Sequence, residues 1–336
     1  MKLIALFLSL FLLVSCGVNA PDPNDDQATD DPSAADTASP TSPHSPSPAP
    51  VPTVPPPVPR SGQRPEPPTV HAGFALVAES KSGEILFSKR AHDRAYPASL
   101  TKIMTVLLAI EAVERGDLSL DDTVTVSASA LHNLSEYGSS AGLMVGEELS
   151  FRDLLYCAML ISANEACNVL AEQVAGNVTD FVAMMNAKAA ELGCEGTNFV
   201  NTHGLHDEKH YTTAYDIYLI TMEARKLPVF LQIAGTASHT VPATNKSAAR
   251  GLTTTNHLIS ALRNPIYFYP DATGGKTGFT TPAGNCLVSS AEKNGLETIC
   301  VVLSAVRLED GRAAVYVDSI TLHDWVFENY IRPSTS

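Results

Sequence analysis

The chain has 336 residues, 44% of them hydrophobic, and carries 22 basic against 36 acidic side chains, a formal net charge of −14. That balance argues against a polyanion such as nucleic acid as partner. The length is well beyond a minimal domain, and the apolar content is ample for one large core.

The N-terminus, "MKLIALFLSLFLLVSCGVNA", has one early lysine and an apolar run of about 12 residues. Those are the dimensions of a signal-peptide core, too short to span a bilayer, so the protein is expected to be exported. Cleavage after Ala20 would put Pro21 at the scissile bond, a poor fit. Leu13-Val14-Ser15-Cys16 resembles the bacterial lipobox, whose cysteine is lipidated and becomes the new N-terminus. Residues 1–15 are then a lipoprotein signal peptide, and Cys16 anchors the chain to the outer face of a bacterial cell membrane.

From Pro21 to about Pro68 the composition is Asp, Ser, Thr, Ala and Pro, which cannot bury enough apolar surface to fold. Residues 16–70 are read as a disordered tether. In polyproline II geometry, at ~3.1 Å per residue, its roughly 48 residues after Pro21 reach on the order of 150 Å. The folded domain is expected over 71–332.

"GFALVAES" and "EILFSKR" read as two strands joined by "KSG". From Ala98 to about Gly235 the pattern is mainly helical, with Phe151 to Val174 and Val178 to Leu192 as the clearest segments. Thr213, three residues before Asp216, is placed to cap a further helix. "GGKTGFTT", "AGNCLVSSAEK" and "ETICVVLSAVR" read as three strands, followed by an amphipathic helix from about Gly311 to Tyr330. Strands at both ends with helices between them predict an α+β fold, one five-stranded antiparallel sheet built from both chain ends and flanked by a helical region.

Without Cys16, five cysteines remain, Cys157, Cys167, Cys194, Cys286 and Cys300, an odd number at irregular spacing and no disulfide framework. A two-residue turn at Asn294-Gly295 sets Cys300 opposite Ser289 rather than Cys286, so that pair is not expected to be bridged.

Ser-x-x-Lys occurs twice, at Ser99-Leu-Thr-Lys102 and Ser290-Ala-Glu-Lys293. The second lies in an alternating strand, where residues i and i+3 point to opposite faces and cannot cooperate. The first opens a helix, where the two side chains meet and the helix dipole favours a developing negative charge. Alone it is equally readable as a cap and a solvated lysine. Ser162-Ala163-Asn164 ends the predicted helix "RDLLYCAMLI", where polar side chains interrupt an apolar pattern. Lys276-Thr277-Gly278 lies in a strand with glycines on both sides, which allow close approach of a backbone or a ligand.

The three motifs in this order are those of penicillin-binding proteins. With "PASLTKIMT", "NTHGLHDEKHYTTAYD", "TTTNHL" and "GGKTGFTTPAGNCLVSSAEKNG", the chain from about His71 to Tyr330 resembles the serine D-alanyl-D-alanine carboxypeptidases, the low-molecular-mass penicillin-binding proteins. The resemblance implies a β-lactamase/transpeptidase-like fold and the removal of D-alanine from peptidoglycan stem pentapeptides through an acyl-enzyme on Ser99. It implies β-lactam antibiotics as covalent inhibitors and no cofactor or metal. Lys102 would be the base and Ser162 a proton relay to the leaving amine. Asn164 would hold the substrate's peptide amide, and Thr277 and Lys276 its free carboxylate. The Ser99 and Phe279 backbone N–H groups would form the oxyanion hole, and Gly278, between Thr277 and Phe279, would also line the substrate site. For Lys102 to act it must be partly neutral, which burial and a second cation at Lys276 would favour. Two departures stand out: Ala163 occupies a position where glycine is common, and the chain runs only about 11 residues past Trp325, where many members carry a second β-rich domain and a C-terminal amphipathic anchor.

Three other readings compete. A class A β-lactamase shares the fold and motifs but needs Glu-x-x-Leu-Asn after the second motif, a pattern absent from Glu165 to Glu208. A metal site could use His203, His206 and His210, though no His-Glu-x-x-His accompanies them. A non-catalytic cell-wall-binding module would keep the fold without needing a base beside a serine.

Overall fold

The computed structural model describes residues 54–132, 134 and 138–333. The lipobox cysteine Cys16, the leader and the tether up to residue 53 lie outside the described residues.

The first described segment already departs from expectation. The domain boundary drawn at His71 is too late: β1 (Val58–Pro59) pairs antiparallel with β11 (Tyr330–Ile331) at the other end of the chain. The Arg60 N–H donates to Asn329 O at 2.8 Å, and the Trp325 Nε1–H donates to Glu66 O at 2.8 Å. Composition pointed to disorder, but proline costs less than other residues to order because its φ is preset. Its missing N–H is tolerated at a sheet edge, where a two-residue pairing asks for few donors.

The strands β2 (Phe74–Glu79) and β3 (Ile85–Lys89) form the expected hairpin. The helical stretch that follows begins with α1 (Thr101–Glu114) and includes a small ribbon of β4 (Thr123–Thr125) and β5 (Glu148–Ser150). Next come α2 (Phe151–Leu160), α3 (Asn164–Ala175), α4 (Val178–Glu191), α5 (Ala214–Ala224) and α6 (Pro228–Ala234). Thr213 caps α5 as its spacing predicts, its hydroxyl accepting from the Asp216 N–H. A second ribbon, β6 (Ser238–Val241) with β7 (Arg250–Thr253), leads to three long strands, β8 (Ala272–Thr280), β9 (Gly284–Lys293) and β10 (Leu296–Ala305). The last helix is α7 (Ala314–Asn329).

These strands make one five-stranded antiparallel sheet in the order β3-β2-β10-β9-β8, built from both chain ends as predicted. Period-two alternation explains its two covered faces. Ile299, Val301 and Leu303 of β10 join the core beneath the helices, while Cys300 and Val302 join the core under α7. The register places Cys300 opposite Ser289, and the five described cysteines are free. Strand β8, which carries Lys276-Thr277-Gly278, is an edge strand, so one of its sides remains open to form a site. No helix among the described residues is long and apolar enough to cross a membrane.

The helical segment 151–174 proves to be two helices. At Ser162 the backbone adopts a left-handed φ of 64°, and α3 restarts at Asn164. The first helix ends where Ser162 and Asn164 interrupt the apolar pattern, as read from sequence, while the single run expected as far as Val174 is divided there.

Candidate active site

The site is built around the turn that precedes α1. Ala98 to Leu100 form one 3-10 turn, with Ala98 at φ 47°, and α1 continues directly from it. Two glycines clasp this turn. A Cβ on Gly204, at φ +88°, would lie 1.8 Å from Ala98 O, and one on Gly278 would lie 3.0 Å from Ser99 N. Only residues without a side chain permit both approaches. Ser99 is thereby pressed between the loop after α4 and the edge strand β8.

α1 is buried on every side rather than along one stripe, and Lys102 is fully inaccessible to solvent. Its Nζ donates to Asn164 Oδ1 at 2.8 Å and to His203 O at 2.7 Å, and lies 3.1 Å from Ser99 Oγ. Burial disfavours the ammonium and lowers the lysine to about 8, although Cys167 and Glu165 act in the opposite direction. A neutral amine has two N–H bonds and one lone pair. Asn164 and His203 accept the two hydrogens, so the lone pair is left for the Ser99 hydroxyl.

Among the described residues, no histidine lines the cleft. Burial holds His203 down to about 3 and His210 down to about 4, so both are neutral near pH 7. His210 Nδ1 accepts from the Val200 N–H, leaving its Nε2–H to donate to Thr101 Oγ1, which itself donates to Ala98 O. His203 Nδ1 accepts from the Leu205 N–H, and His206 packs edge-on against Tyr96. His210 and His206 thus tie the loop to the segment around the serine turn, while the His203 ring braces the loop from within.

Ser99 opens into a cleft of ≈370 Å³ whose walls come from three directions. Ser162 and Asn164 form one, Thr277, Gly278 and Phe279 of β8 a second, and Val315 and Tyr316 of α7 a third. Ser162 is 5% exposed and its Oγ has no hydrogen-bond partner among the described residues. An orphaned buried hydroxyl costs about 1–3 kcal/mol and a left-handed non-glycine backbone a further ~1–3 kcal/mol, a combination retained where function requires it. Asn164, expected to face the substrate amide, bonds Lys102 through Oδ1 while still lining the cleft.

Lys276 requires a correction. Read from sequence as a direct carboxylate ligand beside Thr277, it is 1% exposed and does not line the cleft. Neighbouring residues of a strand face opposite ways, so Thr277 and Lys276 cannot both enter it from one wall. The Lys276 ammonium donates to Thr277 O at 3.0 Å, and burial together with Lys102 holds its pKa well below the ordinary lysine value. The amine lies under the wall rather than on it.

The described cleft-lining residues include no carboxylate. Glu165, the acidic residue nearest the second motif, is committed to Ser140 Oγ at 2.7 Å and the Ala141 N–H at 2.6 Å. Ser290 bonds Thr273 Oγ1, and Lys293 bonds Asp271, so the second Ser-x-x-Lys is split as the strand reading predicts. Sequence reasoning missed the His203 carbonyl, Ser139, Tyr316 and the role of Thr255, whose stretch "TTTNHL" was notable only as a resemblance. A backbone carbonyl has no sequence signal, and Tyr316 reaches the cleft solely because α7 packs across the sheet.

The family profile of peptidase S11, described as D-alanyl-D-alanine carboxypeptidase, matches residues 61–307. The chain is 35% identical over 259 residues to the D-alanyl-D-alanine carboxypeptidase DacF of Bacillus subtilis, covering 77% of this chain and 63% of that protein's length. It is 32% identical to a D-alanyl-D-alanine endopeptidase of Pseudomonas aeruginosa over 76% of this chain and 77% of the relative. A crystal structure of a Mycobacterium tuberculosis D-alanyl-D-alanine carboxypeptidase superposes with a TM-score of 0.70 at 28% identity, covering 82% of this chain and 97% of that one.

Proposed function

The chain belongs to the D-alanyl-D-alanine carboxypeptidase family of serine peptidases, and on that premise we propose that it removes the terminal D-alanine from peptidoglycan stem pentapeptides through an acyl-enzyme on Ser99. The observation that carries this reading is Lys102: a fully buried lysine lowered to about 8, with two fixed N–H acceptors and its third valence 3.1 Å from a cleft-lining serine hydroxyl.

A serine hydroxyl needs a base to attack an amide carbonyl. Ser99 Oγ attacks the carbonyl carbon of the penultimate D-alanine as its proton passes to Lys102 Nζ. The backbone N–H groups of Ser99 and Phe279 take the oxyanion, each such donor typically worth about 3 kcal/mol. The proton travels through Ser162 to the departing amine of the terminal D-alanine, and the unpartnered Ser162 Oγ suits that transfer because no internal bond has to break first. Water, activated by the same base, then cleaves the ester. Asn164 holds the substrate's amide through its Nδ2, and Thr277 meets the terminal carboxylate, whose negative charge favours the protonated form of Lys276 beneath it. β-Lactams would acylate Ser99 by the same attack.

Anchoring belongs to the same proposal. Cys16 carries a diacylglycerol, since one acyl chain binds a membrane only marginally and two suffice, and the proline-rich segment spaces the domain from the bilayer. Cys16→Ala is expected to abolish metabolic labelling with a lipid precursor; unchanged labelling would refute lipidation at Cys16.

Mass spectrometry of wall fragments incubated with the soluble domain tests the activity. Loss of a single D-alanine from pentapeptides supports carboxypeptidase action. Splitting of cross-linked dimers would replace it with endopeptidase action, the class in which the Pseudomonas relative is named. Fragments left unchanged, with no covalent penicillin label, would leave a wall-binding module.

A further inference from the structure

We infer that Thr255, through a hydroxyl paired with that of Thr277, is a specificity-determining residue that reads the free C-terminal carboxylate of the substrate. This rests on the reading above that the cleft takes a D-Ala-D-Ala peptide.

The Thr255 and Thr277 Oγ1 atoms lie 2.5 Å apart, both residues line the cleft, and no other partner for either hydroxyl is present among the described residues. Two hydroxyls bring two hydrogens, and the bond between them uses one. The second is free to donate into the cleft. An arriving carboxylate, with two acceptor oxygens, can take one O–H from each threonine, so a neutral bond is exchanged for two charge-assisted ones. A C-terminal amide has a single acceptor oxygen and cannot repeat that exchange.

The position of Thr255 is imposed from outside its own segment. Its N–H donates to Leu160 O at 2.9 Å, satisfying the last carbonyl of α2 two residues before Ser162. Its C=O accepts from the Tyr316 phenol at 3.0 Å, at the start of α7. Burial pushes the Tyr316 phenol up to about 12, so it stays a donor over the working pH range. Thr255 therefore joins the serine loop, the β8 strand and α7, and its side chain is aimed at Thr277 by bonds its own hydroxyl does not make. Replacing that hydroxyl with a methyl group leaves these backbone bonds in place.

The test compares wild type, Thr255→Val and Thr255→Ser on one D-Ala-D-Ala peptide with a free C-terminus and on its C-terminal amide. Thr255→Val is expected to lower kcat/KM for the free acid by about tenfold or more and to affect the amide far less, collapsing the preference for the acid. Thr255→Ser should recover the acid to within about threefold, and adding Thr255→Val to Thr277→Val should cost much less than it does alone, because the pair acts as a unit. Equal losses on acid and amide, or no loss on either, overturn the inference. A wild type that releases D-alanine but does not distinguish acid from amide overturns it while leaving the proposed activity standing. A wild type that neither binds penicillin covalently nor releases D-alanine overturns both.

Discussion

The two Ser-x-x-Lys segments, identical in motif, have opposite fates in this fold. Ser99 and Lys102 lie on a 3-10 turn and the helix continuing from it, with Nζ and Oγ 3.1 Å apart. Ser290 and Lys293 lie on β9, where Ser290 is bonded to Thr273 at 2.8 Å and Lys293 to Asp271 at 2.7 Å. Burial lowers Lys102 to about 8, whereas the hydrogen bond that the exposed Lys293 donates to Asp271 raises it. A lysine becomes a base when its environment removes solvent and supplies neutral acceptors, and remains a surface cation when it meets water and a carboxylate. The motif provides the groups, and the element and its burial decide their chemistry.

The sharpest way to break this contrast is at the two serines. Ser99→Ala is expected to abolish covalent labelling by a fluorescent penicillin on a denaturing gel, and Ser290→Ala to keep it. Labelling retained in Ser99→Ala would transfer the nucleophile elsewhere. Next in size is Lys102, the base proposed above. Lys102→Met should reduce the penicillin acylation rate by roughly 10²- to 10⁴-fold, the usual span for a general base, as read in a stopped-flow or quench assay.

The pH dependence sharpens the comparison further. Acylation should rise about tenfold per pH unit below about 8 and level off above it, as Lys102 loses its proton. Since Glu165 pulls Lys102 upward, Glu165→Gln should move this limb to lower pH. The linked stability has a defined sign. The folded pKa lies below the ordinary 10.5, so between about 8 and 10.5 the unfolded chain holds more protons, and the contribution of Lys102 to stability rises with pH across that window. Urea midpoints measured from pH 8 to 10.5 for wild type and Lys102→Met would show it as a difference in slope. The smallest effect belongs to Lys293→Ala, expected to leave acylation within about twofold because its partner lies at the surface; a larger loss would contradict its separation from the site.

Much of this was legible from local pattern. The alternation of β2 and β8 to β10, the Thr213 cap and the Cys300–Ser289 register follow from periods and turn geometry that act over a few residues. Ser99 with Lys102 was legible because i and i+3 meet at a helix start. The end of α2 was legible too, as polar Ser162 and Asn164 interrupting an apolar run; the immediate restart of a second helix at Asn164, across a φ of 64° at Ser162, was not. The docking of residues 54–70 was hidden because composition reports the tendency to disorder, whereas the pairing partner, β11, lies at the far end of the chain.

By itself the sequence picked out the Ser99–Lys102 pair, the strand carrying Lys-Thr-Gly, the α+β class and the lack of a disulfide framework, because these depend on residue identity and short spacings. The tertiary structure alone decided which groups receive the protons of Lys102, that Lys276 lies beneath the cleft wall and Thr277 on it, and that Thr255 and Tyr316 belong to the site at all. Those contacts join residues 61 to 101 positions apart, as with Tyr316 to Thr255 and Lys102 to His203. At such separations the partner is set by how the edge strand, the serine loop and the final helix pack against one another, a geometry with no period in the chain to announce it.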